Sequence, residues 1–196
     1  MRKRIIERAL MCVDEIYPED NSVNIQNFPL DNFIDEAARR VLLSAPLHAI
    51  PSARSFSDVE LHDNGDGSGW LELPGDFIRL VRFRMEGWHR PVLAALTDDD
   101  PAYKRQFHAA TRGGNAKPVV VLSHGKTRLE YYTIPSGKHS LSEALYIPFV
   151  RVDKSFPANL VEVMAWVLAS LVLGVSNDSK GAETATARAN ELITIL

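Results

Sequence analysis

The run Pro157–Val175, PANLVEVMAWVLASLVLGV, carries one charged residue, Glu162, and leaves no polar stripe along a helix. A helix that is apolar on every side is stable in water only when other elements cover it, so the rest of the chain must supply that cover. Pro157 suits a first helical turn, where its missing N–H has no intrahelical partner, and Asn177, Asp178 and Ser179 end the run. A membrane span is the rival account. The segment Val163 to Val175 is shorter than the roughly 20 residues a bilayer core requires. The expectation is a buried helix, with Trp166 and Leu168 inside the core and no membrane partner.

Three stretches have the period needed to cover it. In Arg2 to Tyr17, Ile5, Ile6, Ala9, Leu10, Val13 and Ile16 fall on one helical face, and Pro18 stops the run. Leu30, Phe33, Ile34, Ala37, Ala38, Val41 and Leu42 form a second such face, closed by Pro46. In Ser179 to Leu196, Ala182, Ala185, Ala189, Leu192, Ile193 and Leu196 share an inner side. Ile195 falls off that side by roughly a quarter turn at 3.6 residues per turn, so Leu192, Ile193, Ile195 and Leu196 form an apolar end that reads as a candidate interface.

Between Ile50 and Asp153 the pattern alternates, and prolines and glycines punctuate it as turn signals. Strands are expected at Phe56–His62, Trp70–Leu73 and Ile78–Met85. A hairpin is expected over Lys117–Ile134 with SHGKT as its turn, and a last strand over Ala144–Val152. The tract DNGDGSG reads as a flexible hairpin connection, and Asp98 to Phe107 as a short helix behind an acidic cap. The fold class is therefore α+β: a four-helix bundle from residues 1–50 and 153–196, with an antiparallel β domain inserted over 51–152.

The motifs that would announce chemistry fail one by one. An EF-hand begun at Asp63 would have Gly65, Gly67 and Pro74 at ligand positions. The histidines are scattered, with no H-x-x-x-H pair, and Ser123, His124 and Asp63 have nothing in the sequence to unite them as a triad. No metal, cofactor or catalytic residue is expected. Cys12 is the only cysteine, so the chain has no intramolecular disulfide, and acidic residues interrupt any export signal at the start.

Arg79, Arg82, Arg84 and Arg90, with Trp88 among them and Lys104, Arg105 and Arg112 further on, form the one basic concentration. Arginines can meet phosphates and a tryptophan can stack on a base, whereas the same residues on a solvated strand face simply pair with acids. The formal net charge of −3 favours the solvated face over tight phosphate binding.

LPGDFIRLVRFRMEGWHRPV, Leu73 to Val92, followed by YKRQF, KPVVVL…LEYY, YIPFV and PANLVEVMAW, resembles the head-to-tail adaptor proteins of tailed phages. The short-tailed-phage type, also called tail tubular protein A or gatekeeper ring, is the nearest form. The residue-level likeness lies in Leu73 to Val92 and loosens after it. The resemblance implies a virion neck protein, assembled in the host cytoplasm as a homo-oligomeric ring, usually of twelve copies. Such a ring docks on the portal protein, receives the tail or the next ring protein, and lets genomic DNA pass without sequence-specific binding. Under that reading Arg79, Arg82, Arg84, Trp88 and Arg90 become candidates for a subunit interface or the channel wall. Leu192, Ile193, Ile195 and Leu196 are candidates for a subunit or portal contact. No long polar arm follows the last helix, so an arm-type clasp on the portal is not expected. The alternatives are another tail or baseplate component, or a bacterial binding module or hydrolase with its pocket in the β domain.

Overall fold

The structure is a computed structural model that describes residues 1–18, 29–50, 53–134, 139–153 and 156–196. It is mixed α+β and divides into two compact units, Met1–Pro51 with Phe149–Leu196, and Ser52–Pro148.

The first unit holds helices α1 (Arg2–Ile16), α2 (Asp31–Ser44), α3 (Val161–Val175) and α4 (Ser179–Thr194). α3 packs against all three others, which explains its composition: the apolar residues on each of its sides meet a different partner. Trp166 and Leu168 are both buried, as are Met164, Ala169, Val172 and Leu173. Pro157 stands one step earlier than its sequence suggested. It precedes a 3-10 turn over Ala158–Leu160, and the α-helix proper begins at Val161. Counted with that turn, Ala158–Val175 is an 18-residue stretch long and apolar enough to cross a membrane, yet 61% of it is buried inside the protein. α3 ends where Asn177 turns to φ 60°, and Asp178 then caps α4 by accepting a hydrogen bond from the Gly181 N–H at 2.9 Å.

α1 buries Ile5, Ala9 and Val13 as its periodicity requires, together with Cys12, which the apolar pattern had left out. Burial pushes the Cys12 thiol up to about 12, which disfavours its thiolate, and the side chain packs in the core. α4 presents Gly181, Ala185 and Ala189 to the core. Such small side chains bring its backbone close to α3.

The second unit contains two sheets. β1 (Arg54–Ser55), β8 (Leu141–Pro148) and β4 (Phe77–Met85) form one, in the order β1-β8-β4 and antiparallel throughout. The other contains β2 (Leu61–Asp63), β3 (Gly69–Glu72), β7 (Arg128–Tyr131), β6 (Val120–Ser123) and β5 (Leu96–Thr97), in the order β2-β3-β7-β6-β5. Here β5 pairs parallel to β6, so the β region is not wholly antiparallel. Alternate residues of both sheets share one core, which joins Leu71, Leu129 and Tyr131 to Phe83, Met85 and Tyr146.

Three local expectations need correction. The run Phe56–His62 is not one strand, because a turn at Ser57–Asp58 separates β1 from β2. Asp98 to Phe107 is not an α-helix; turns lead into a 3-10 helix over Tyr103–Phe107. The last strand lies earlier than Ala144–Val152, and Phe149 already belongs with the helices, its ring 4.9 Å beneath the Arg39 guanidinium. The two hairpin connections match their chemistry. Gly65 and Gly67 take positive φ between β2 and β3, and His124, Gly125 and Lys126 do so between β6 and β7. Gly69 has a different reason to be glycine: a Cβ there would strike the Tyr131 hydroxyl and the His62 carbonyl.

Candidate functional site

The basic strand β4 is shaped by bulges. Strict alternation from Leu80 would send Arg82 and Arg84 to the core side. The pairing instead steps from Leu80↔Tyr146 to Arg82↔Leu145, leaving Val81 as an extra residue. That bulge reverses the phase, so Phe83 and Met85 enter the core while Arg82 and Arg84 join Arg79 on the opposite face. Arg82 ion-pairs with Glu143 at 3.0 Å, and the Arg84 Nε–H donates to the Trp88 carbonyl at 3.1 Å. Arg79 is half-buried, and that burial lowers its pKa. Arg90 is exposed. An exposed pair such as Arg82–Glu143 contributes about 0–1 kcal/mol, so this face is solvated and available to a partner more than it is structural.

Trp88 must be removed from that face. It is 1% exposed, its ring meets Phe83 edge-on at 5.9 Å, and its indole N–H donates to the Thr133 carbonyl at 3.3 Å. A core side chain has no face left for a base or a neighbouring subunit.

At the C-terminal end of α4, Leu192 and Ile193 are half-buried, Leu196 likewise, and Ile195 is 79% exposed. The Leu196 carbonyl lies 3.1 Å from His48 Nε2, so the last residue is tied back to its own unit. Leu192 and Ile195 border a cavity of about 410 Å3 whose far wall includes Arg8, Glu162 and Trp166. Arg8 is committed there, with bonds of 2.6 and 2.8 Å to Glu162 and 2.7 Å to Glu15. The Arg8 bond is the main reason the Glu162 pKa is lowered, and the two carboxylates raise that of Arg8. The charged wall is therefore satisfied internally. The uncovered element is Ile195.

A third place was not singled out by any motif. On the outer face of the five-stranded sheet, an open groove of about 560 Å3 is lined by the rings of Trp70, Tyr103, Phe107 and Tyr132 with Arg128 and Arg112. Trp70 is sandwiched, since β2 and β7 flank β3: His62 stacks at 3.9 Å and the Arg128 guanidinium lies 4.0 Å from the ring centroid. Glu130 accepts hydrogen bonds from Tyr132 at 2.5 Å and from Tyr103 at 3.3 Å. Desolvation first, and then that bond, raise the pKa of Tyr132. At the rim Asp66 accepts from the Ser68 N–H and hydroxyl and from Arg112, whose Nη2 is 3.1 Å away. The signal for this groove was present in the alternation of RLEYY, which places Arg128, Glu130 and Tyr132 on one strand face. The residues from Tyr103 to Arg112 that complete it carried no comparable signal.

The Ser68 hydroxyl bond above all holds the Asp66 carboxyl down at about 2, against an ordinary 3.8. A depressed folded-state pKa supplies stability that is present above the ordinary value and lost as pH falls through the folded one. The connection between β2 and β3 should therefore loosen between pH 3.8 and about 2. An NMR titration of the Asp66 carboxyl checks this, and a midpoint at the ordinary carboxylate value would refute the bonding described.

Asp63 does not approach His124. It pairs with His139 Nε2 at 3.2 Å and accepts from the Gly65 N–H at 2.7 Å, while the His124 Nδ1 lies 3.3 Å from the Ser123 hydroxyl. Among the described residues no group of three or more His, Cys, Asp or Glu side chains is placed to hold a metal ion. No protein-family profile matches the chain.

Proposed function

We propose that this chain is a virion structural protein, a head-to-tail adaptor that forms a ring between portal and tail and lets DNA pass through it. The observation that carries the reading is the chain order: one helical unit is made from both ends of the chain, with a β-rich unit between them. Read at finer grain, α1 to α4 are a four-helix bundle and Ser52–Pro148 is its inserted β domain, the layout implied by the likeness of Leu73 to Val92 to the adaptors. The role is assembly and not catalysis. The subunits join as a ring of about twelve copies, in keeping with cyclic homo-oligomers built on heterologous contacts. Exposed apolar side chains of the helical unit, Met11, Leu43, Leu47, Val175 and Ile195, are suited to subunit or portal contacts. The outward face of Arg82 and Arg84 is suited to an interface or to the channel wall.

Negative-stain images and sedimentation of the purified protein, alone and mixed with its portal, test the reading. Rings in either sample support it, and a chain that stays monomeric in both overturns it. Ile195→Asp should leave the monomer's stability within about 0.5 kcal/mol, because the side chain is exposed, yet sharply reduce ring or portal-complex formation. Undiminished assembly would take the terminus out of the interface. Arg82→Glu with Arg84→Glu examines the basic face in the same assay. The groove on the five-stranded sheet favours one second reading, a monomeric binding module that acts through the β unit.

A further inference from the structure

We propose that the groove on the five-stranded sheet binds an unpaired nucleotide, its base against the Phe107 and Tyr103 rings and its phosphate on Arg128. The groove belongs to the β unit alone, so this site is independent of whether the chain forms a ring.

The argument starts from which groups in the groove are already committed. Both carboxylates are: Glu130 is held by two tyrosine hydroxyls, and Asp66 by Ser68 and Arg112. A cationic ligand would have to displace those bonds. Of the charged groups that line the groove, the one left uncommitted is a donor. Arg128 lies against Trp70 and makes no ion pair among the described residues. Stacking a guanidinium on an indole fixes its plane and leaves its N–H groups directed outward from the edge, the geometry that meets phosphate oxygens. The lining charges of Asp66 and Glu130 cancel those of Arg112 and Arg128. Lys104 and Arg105, on the same 3-10 turn as Phe107, are exposed.

Phe107 supplies the second half. It is 60% exposed, and its ring meets that of Tyr103 at 4.9 Å and 61°, so one aromatic is braced against another while its own face stays open. An inorganic anion has no use for that face, whereas a base stacks on it. The volume lies within the several hundred Å3 usual for a small-ligand site. A duplex keeps its bases stacked inside and offers only phosphates, so single strands should be preferred.

Fluorescence anisotropy with a labelled oligothymidylate of about ten nucleotides tests the proposal, with the matching duplex, thymidine monophosphate and inorganic phosphate as competitors. The single strand should bind more tightly than the duplex, and thymidine monophosphate should compete better than phosphate. Phe107→Ala should weaken binding by about tenfold or more without changing the thermal melt, since the ring is exposed. Arg128→Gln should weaken it and reduce the salt dependence by about one phosphate contact. Lys180→Gln, an exposed cation on α4 in the helical unit, serves as the control and should leave affinity largely unchanged. Absence of binding at low salt overturns the proposal. So does equal binding of duplex and single strand, or an affinity that falls with Arg128→Gln and not with Phe107→Ala, which would mean an anion site only.

Discussion

Trp166→Ala should destabilise the protein by about 3–5 kcal/mol in urea denaturation followed by far-UV circular dichroism. The indole is 5% exposed on α3, the helix against which all the others pack, so truncation removes apolar burial and leaves a cavity that surrounding helices cannot fully close. The polar part of the loss is small. The Trp166 indole N–H donates to Glu162 at 3.2 Å, but Glu162 retains its bonds to Arg8, so no buried acceptor is stranded. Trp166→Phe separates the two contributions: it keeps most of the volume, loses the N–H, and should cost about 1 kcal/mol through the hydrogen bond. If Trp166→Ala melts like the parent, α3 is not the core helix described above.

The helices were legible because each obeys one rule over a long run. A 3.6-residue period, or the absence of any polar stripe, is written into consecutive residues, and Pro18 and Pro46 mark two of the ends. The β unit was less legible because its decisive features are non-local. The bulge at Val81 reverses the facing of Arg82 and Arg84 without leaving a mark that period-two reading can detect. The parallel pairing of β5 with β6 depends on a strand of two residues, too short to carry a pattern. Trp88 became a surface candidate because it stands among Arg82, Arg84 and Arg90 in the chain, so its surroundings in sequence are polar while its surroundings in space are not. The groove shows the same divide, since its strand residues alternate recognisably and its 3-10 residues do not. At the chain end the facing of one residue was legible. Ile195 is off the helix's inner side for a geometric reason that needs only 3.6 residues per turn, and among the described residues it is the most exposed large apolar side chain.

Trp88 gives the matching prediction for the β unit, and its size decides between two roles for the same side chain. On a solvated face, Trp88→Ala would change stability by no more than about 0.5 kcal/mol. Inside the shared core it should cost about 3–5 kcal/mol, since the ring contacts Phe83 and its loss opens a void between the two sheets. The Thr133 carbonyl also loses its indole donor, and Trp88→Phe, which restores most of the volume without the N–H, should recover the larger part of the loss. Intrinsic fluorescence provides an independent reading. Of the three tryptophans, Trp88 and Trp166 are buried and Trp70 is half-exposed, so acrylamide should quench Trp70 first. Trp88→Ala should remove a shielded, blue-shifted component measured under conditions where the variant is folded. A quenchable component lost in its place, together with an unchanged melt, would return Trp88 to the surface and leave the β core without its largest side chain.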